Sequence, residues 1–243
     1  PAEALKDFCA RVGVCKANSE VQISYFEACV REYLNLHAER AMAVLKPLKL
    51  VLRDYEGEET LDFDVNPNDG EKRTRKITFS KELYIDADDF SLAPPPKYFR
   101  LKKDGYVRLK NAYIIHCEDV VFGEDGSVKE LICTHIPESK SGNDTSGIKV
   151  KGVIQWVNAK DAVDVEIRKY DHLLKDEEYA GQDFSERMNV NSVHKFAGKV
   201  EPYVMESEAK PFQLMRVGYY KKLVSNGKTV LSEIVSLKDN FNK

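Results

Sequence analysis

A chain of 243 residues with 42% hydrophobic content can bury one large core or two modest ones, and 32% charged residues exclude a fibrous or low-complexity protein. No apolar run approaches the roughly 18–20 residues that span a bilayer, and the N-terminus lacks the uninterrupted apolar core of a signal peptide. A net charge of −3 excludes a protein that grips nucleic acid through bulk positive charge, while leaving room for a local basic surface.

Leu5, Phe8, Cys9 and Val12 recur at helical spacing, with Pro1 suited to a first turn and Gly13 to a stop, so a helix is predicted over residues 1–12. The chain begins without Met and enters helix at once, as a piece of a longer protein would. A second helix is expected after Asn18 or Ser19, either of which can cap it. Its apolar stripe is Ile23, Phe26, Val30 and Tyr33/Leu34, with Glu27–Arg31 as an i,i+4 ion pair on the outer side. Asn35 is placed at its end, because Asn tolerates the left-handed conformation used there.

From Arg40 the pattern turns to strand. AMAVLKPLKLVLRDY is β-rich, and Pro47 signals an edge or a bulge. An acidic run from Asp54 to Asp64 holds six carboxylates and no basic residue. The stretch 65–76 is a turn-rich connection that becomes basic at its end. ITFSKELYI reads as a strand that stops at the acidic DADD of 86–89, and Pro94-Pro95-Pro96 as a stiff extended spacer. VRLKNAYIIHCEDVVF and VKELICTHI flank Gly123-Glu124-Asp125-Gly126-Ser127, a hairpin signal, and SKSGNDTSG (139–147) reads as a flexible loop. GIKVKGVIQWV, AVDVEIRKY, PFQLMRVGYY and TVLSEIVSLKD are further strands, with Asn226-Gly227 marking a hairpin between the last two. So many short strands joined by turns predict antiparallel barrels or sandwiches.

Little here carries catalysis. Asp62-x-Asp64-x-Asn66 begins like a calcium loop, but Pro67 stands where that loop needs Gly and Arg73 where it needs a bidentate carboxylate. Asn143-Asp144-Thr145 fits a glycosylation acceptor with nothing to route it to a secretory path. Neither a phosphate-binding Gly-rich loop, nor a nucleophile elbow, nor His-Glu-x-x-His is present. Cys9, Cys15, Cys29, Cys117 and Cys133 are odd in number and scattered, as reduced thiols of a cytoplasmic protein would be, and no Cys/His cluster has zinc spacing.

Two stretches suit recognition. KYFRLKKDGYVRLK (97–110) holds Lys97, Arg100, Lys102, Lys103, Arg108 and Lys110 against Asp104 alone, with Tyr98, Phe99 and Tyr106 interleaved. On a strand, Arg108 and Lys110 project from one face, and cations beside aromatics suit phosphates and splayed bases; a solvated hairpin of a charge-rich protein is the competing reading. In PFQLMRVGYY (211–220), Gln213 and Arg216 can both bond base edges, but their odd separation puts them on opposite faces unless a bulge or bend, helped by Gly218, brings them together.

LKDFCARVGV, LNLHAERAMAVLKPLKLVL, VRLKNAYIIHC, KVKGVIQWVNA, VEIRKYDHLL and PFQLMRVGYY, in this order, resemble the C-terminal part of the glutaminyl-tRNA synthetase family of class I aminoacyl-tRNA synthetases. The resemblance implies a mainly β architecture in which a short N-terminal helical segment is followed by two antiparallel, ribosomal-protein-like β-barrels that bind the anticodon. It assigns 1–38 to a helical link from a catalytic domain lying before residue 1. The barrels then occupy 39–243, built discontinuously with roughly 90–160 inserted into the other. Neither the HIGH nor the KMSKS signature is present, so this chain alone is expected to be inactive. The full-length protein is expected to join glutamine to its tRNA with ATP and magnesium, and this stretch to need no cofactor.

The implied partners are the anticodon stem-loop of glutamine tRNA and the chain's own catalytic domain, with no DNA and no membrane. Arg40, Gln213 and Arg216 resemble the set that recognises the central uridine. Arg100 resembles the arginine serving the third base, and Arg108 and Lys110 the residues around the first, with Lys238 near the same pocket. Asn35 lies at the helix-to-barrel junction that touches the loop, and Asn68 resembles an asparagine that contacts the loop beside the anticodon. The sequence departs from the family pattern at Lys110, where relatives often carry Arg, at Lys97 and Phe99, and at Met215, which replaces an acidic residue. The related glutamyl-tRNA synthetases of eukaryotic or archaeal type, and a non-enzymatic barrel binding RNA or protein, are the alternatives.

Overall fold

The computed structural model describes residues 1–16, 20–68, 70–175 and 183–238. Two helices, α1 (Ala2–Val12) and α2 (Ile23–His37), lead into the strands β1 (Glu39–Ala41), β2 (Ala43–Val44), β3 (Pro47–Leu52), β4 (Glu58–Asp64), β5 (Thr74–Ser80), β6 (Glu82–Asp86), β7 (Phe90–Ser91), β8 (Leu101–Lys102) and β9 (Tyr106–Leu109). Then come β10 (Ile114–Phe122), β11 (Val128–His135), β12 (Val153–Ile154), β13 (Val157–Asn158), β14 (Val163–Tyr170), α3 (Phe184–Arg187), β15 (Val193–Val200), α4 (Tyr203–Glu206), β16 (Pro211–Leu214), β17 (Gly218–Ser225) and β18 (Lys228–Ser236). The protein is thus mainly β with a helical lead-in, as expected. No helix among the described residues is long and apolar enough to cross a membrane.

Two seven-stranded sheets dominate, ordered β1-β16-β17-β18-β14-β15-β2 and β12-β9-β10-β11-β3-β6-β13. In each, the two end strands are near neighbours in the chain. Met42 alone separates β1 from β2, and Gln155 and Trp156 separate β12 from β13. Each sheet therefore curls until one short segment supplies both edges, a barrel-like layout that leaves no long free edge. Most ladders are antiparallel, but β1–β16, β14–β18, β3–β11 and β9–β12, and the separate β7–β8 pair, run parallel. The first sheet takes its strands from 39–44 and 163–236; the second takes them from 47–158, so β3 and β6 join the strands of the 90–160 stretch.

The wall between the sheets follows from the two-residue period of an extended chain. Ala41 and Ala43 enter the core that holds Phe212, Tyr220 and Leu231, while Met42 and Val44 enter the core around Trp156, Phe79 and Leu50. In the larger core the Phe79 and Trp156 rings meet edge to face at 5.1 Å and 87°. The four consecutive residues Ala41, Met42, Ala43 and Val44 thus alternate between the two cores, and the polar group beside them, Arg40, lies at the junction.

Several local expectations are corrected. Asn18 and Ser19 lie outside the described residues; α2 begins at Ile23, with Gln22 extended and making no side-chain cap bond. Asn35 does not end the helix, which continues to His37 and stops at an extended Ala38. The reason is tertiary: the buried Asn66 amide donates to the carbonyls of Leu36 and Ala38, both at 2.9 Å, and so takes over the capping a left-handed residue would have done. Glu27–Arg31 forms at 2.7 Å but does not face outward, since Arg31 also donates to the Ser236 carbonyl and ties α2 to β18. Pro47 heads β3, which is an interior strand; the β11 ladder begins only at Lys49, so the missing N–H falls beyond it. ITFSKELYI breaks at Lys81 into β5, paired with β4, and β6, paired with β3 and β13. The hairpin predicted at Asn226-Gly227 forms, both residues taking positive φ, 51° and 73°.

Candidate nucleic-acid interface

Arg40 sits in β1 directly beside Gln213 of β16 in the parallel register. Neighbours in register share a face, so the two side chains lie together, opposite the Ala41 and Leu214 that fill the core. β16 then ends, and residues 215–217 form a tight turn closed by Val217 N–H to the Leu214 carbonyl at 2.9 Å. Arg216 occupies the left-handed region at φ 63°. The bend that lets Gln213 and Arg216 converge is therefore made at Arg216 itself, and not at Gly218, which lies beyond it in β17. The turn is pinned to both barrels: Met215 N–H donates to the Ala41 carbonyl at 3.0 Å, and the Gln155 side chain donates to the Met215 carbonyl.

Between the barrels these segments enclose a cavity of about 320 Å³. Arg40, Lys110, Gln213 and Arg216 line it with polar groups, against an apolar wall of Val153, Ile154 and Met215. Arg40 Nε is buried without a hydrogen-bond partner, a donor that an incoming acceptor would satisfy. Its neighbour Glu39 is fixed by Tyr203 Oη at 2.8 Å, Ser207 Oγ at 2.6 Å and Arg73 Nη1 at 3.0 Å. Burial pushes the Glu39 carboxyl up, but these donors outweigh it and hold it below the usual carboxylate range.

Arg216 also grips Asp89 in a two-bond fork, Nη1–Oδ2 at 3.1 Å and Nη2–Oδ1 at 3.0 Å. Arg100 approaches the same carboxylate, Nε to Oδ1 at 3.2 Å, and donates to the Asp88 carbonyl at 2.7 Å. Asp89 lies nearly out of solvent; burial pushes its carboxyl up and the two guanidinium groups pull against that. On its far side Arg216 lines a second cavity of about 410 Å³, shared with Lys169, Tyr170, His194 and Lys238.

The remaining predicted residues are distributed around this centre. Arg108 and Lys110 diverge. Lys110, in the turn after β9, enters the central cavity, whereas Arg108 donates to the Ser139 carbonyl at 2.6 Å and pairs with Asp144. The 139–147 loop is thereby held against β9. Asn68 bonds the Asn35 carbonyl at 3.2 Å and side chain at 3.3 Å, placing both asparagines at the C-terminal end of α2. An exposed aromatic strip also runs near β9. Tyr106 stacks on His116 at 4.5 Å and 26°, and Lys151 Nζ lies 5.1 Å over the Phe99 ring.

Sequence reasoning missed Asp89, Gln155, Asn66, His116 and Lys151. The only signal for the first was the acidic DADD, which reads as a surface turn. Gly152 was missed too. An added Cβ there would overlap the Phe99 carbonyl, so the basic 97–103 segment packs directly on this backbone. Gly152→Ala is expected to displace Phe99 and Arg100 and to cost about 1–3 kcal/mol in urea unfolding, because the added Cβ meets backbone that must shift.

A cavity with two guanidinium groups, an ammonium and an amide opposite an apolar wall suits one planar ring read at its hydrogen-bonding edge. Two family models described as "tRNA synthetases class I (E and Q), anti-codon binding domain" match residues 38–136 and 153–222. The chain is 43% identical over 249 residues to a glutamine–tRNA ligase of Clostridium perfringens, covering 98% of this chain and 45% of that protein. It is 42% identical over 248 residues to the glutamine–tRNA ligase of Nitrobacter hamburgensis, covering 100% and 44% respectively. With that of Rhodopirellula baltica the identity is 43% over 250 residues, covering 99% and 42%. The chain therefore spans less than half the length of these relatives. With both models matched and these identities running through the helical lead-in as well as both barrels, the chain belongs to the anticodon-binding domains of the class I tRNA synthetases (E and Q).

Proposed function

We propose that this chain reads the anticodon loop of glutamine tRNA as part of a glutamine–tRNA ligase. The observation that carries the reading is the cavity between the barrels, where residues 40, 110, 213 and 216 converge and a buried Arg40 donor lacks a partner. In this reading Arg40, Gln213 and Arg216 hold the central base and Arg100 serves the third. Of the residues assigned to the first, Lys110 reaches it from the wall of the central cavity and Lys238 from the cavity beyond Arg216, while Arg108, paired with Asp144, would have to be released to reach it. Asn35 and Asn68 contact the loop beside the anticodon. Unstacked bases enter separate pockets, and a wrong base strands a buried donor at a cost of about 1–3 kcal/mol. Lysines and arginines on the rims hold phosphates and make affinity fall with salt. Lys110 contributes a point charge where an arginine would give a fork, so it favours any acceptor without fixing the base plane.

Attachment of glutamine with ATP and magnesium, in the cytoplasm, is the activity we propose for the whole protein. The sequence has no Gly-rich phosphate loop, and among the described residues no His/Cys/Asp/Glu group could hold a metal ion. No step of the ligation is assigned to these residues; their part is recognition, with the Asn35–Arg40 junction as the route to the catalytic half. Glutamine and glutamate anticodons share their central base and differ at the third. Stem-loops differing only there are expected to bind with the glutamine version tighter by about tenfold at matched salt. Preference for the glutamate version would transfer the chain to the glutamate enzymes.

A further inference from the structure

The readers proposed for two different bases share one acid. Arg216, assigned to the central base, and Arg100, assigned to the third, both bond Asp89, at 3.0–3.2 Å. They reach it from opposite directions in the chain, Arg100 from the basic segment ahead of β8 and Arg216 from the turn after β16. The backbone of that acid is placed by neither. Asp89 closes the short 3-10 helix Ala87–Asp89, which the Asp86 side chain caps through the Asp88 N–H, and it is only 4% exposed. Asp89 is thus anchored through its backbone, while its carboxylate is held between the two arginines.

We propose that Asp89 is a positioning residue that couples recognition of the central and third anticodon bases. This rests on the assignment of Arg216 and Arg100 made above and says what joins them. The acid takes the two terminal nitrogens of Arg216 and the Nε of Arg100, so each guanidinium keeps further N–H groups for a base. Neither arginine has to leave Asp89 to read. Each is instead aimed by it, and a buried acid between two cations lets both point at the RNA without mutual repulsion. A base that pulls one arginine out of line drags or releases the carboxylate, and the other arginine loses its aim. Asp89 touches no base in this scheme. Its effect reaches the RNA through the two guanidinium groups alone.

The coupling can be read from four glutamine tRNAs: the natural one, one altered at the central base, one at the third, and one at both. With the 243-residue chain, the double change is expected to weaken binding at least about fivefold less than the product of the two single changes, because the first error already misaims the second reader. Asp89→Asn is expected to bring the double change to within about twofold of that product, and to reduce discrimination at both positions. Its salt-dependent binding to the doubly altered tRNA should stay level or rise, since the variant carries one negative charge fewer; a merely structural defect would lower it. Arg100→Ala provides a second reading should Asp89→Asn fold poorly: it is expected to lower discrimination at the central base, which Arg100 does not contact, by about threefold. Should Arg100→Ala abolish third-base discrimination while discrimination at the central base stays unchanged, the shared acid is no coupler and this inference falls alone. Should Arg100→Ala and Arg216→Ala leave both discriminations intact, the assignment of the readers falls with it.

Discussion

Arg216→Ala is expected to remove most of the discrimination between glutamine tRNA and a copy altered at its central anticodon base, while the larger part of total binding survives. The lost term is about 1–3 kcal/mol, roughly fivefold to a hundredfold in relative affinity. Total binding rests mainly on cations at phosphates, many of them distant from this cavity, and their contribution is blind to sequence. Discrimination rests on the few donors that a wrong base leaves unpaired. Arg40→Ala should behave alike, because Arg40 and Gln213 stand side by side in register and Arg40 brings a buried donor with no partner in the free protein. Arg216→Ala should cost slightly more in stability than Arg40→Ala, since it also strips Asp89 of its fork and leaves that buried acid to Arg100. A filter-binding titration of both variants against the two tRNAs at one salt concentration separates the terms.

The second large effect concerns the joint between the barrels. Arg75 on β5 pairs with Glu201, just past β15, and each side chain is only 1% exposed. Glu201 also accepts the Met42 N–H at 3.2 Å, at the one residue separating β1 from β2. Arg75 donates further to the Asp64 carbonyl and lies 5.3 Å from the Phe63 ring and 5.6 Å from the Tyr203 ring. The β4–β5 hairpin is thereby locked to the first barrel at the wall that carries Arg40. Removing one partner strands the other charge in a dry site, so Arg75→Ala and Glu201→Ala are each expected to lose about 3–5 kcal/mol in urea unfolding. The pair as a whole is worth far less. Burial pushes the Glu201 carboxyl up against the pull of Arg75, so ionising it inside the protein is already costly. The double replacement Arg75→Met with Glu201→Leu should therefore recover most of the lost stability. It should not recover tRNA discrimination in full, because the Met42 N–H loses its acceptor and the wall beside Arg40 loosens.

Both helices and the two Gly-containing hairpins were legible because their signals are local: apolar residues at helical spacing, and turn residues that supply the needed φ. The strand β15 was not. Most of its residues from Val193 to Ala197 are exposed, so it lacks the alternation that marks a half-buried strand, and pairing with β14 and β2 decides its state. Asn35 and Asn66 exchange roles for the same kind of reason. The helix end is set by an amide 28 residues away in sequence from the carbonyl it caps.

The site shows the limit more sharply. Spacing alone set Gln213 and Arg216 on opposite faces; only the left-handed turn at Arg216 brings them together, and no local feature of Leu-Met-Arg-Val announces it. Arg108 and Lys110 have the spacing of a shared face, yet the strand ends at Leu109 and they part company. Asp89 and Gln155 act through partners 127 and 60 residues further on. Such roles are written in the pairing of distant strands, and it was resemblance to a family, rather than periodicity, that pointed to Arg40 and Arg216 together.

A single binding titration decides whether the cavity at the barrel junction reads the central anticodon base. Glutamine tRNA and a copy changed only at that base are titrated with the chain at one salt concentration. The altered tRNA is expected to bind at least about tenfold more weakly, a difference that Arg216→Ala largely removes. Equal affinity of the unaltered chain for the two tRNAs would contradict that role for the cavity.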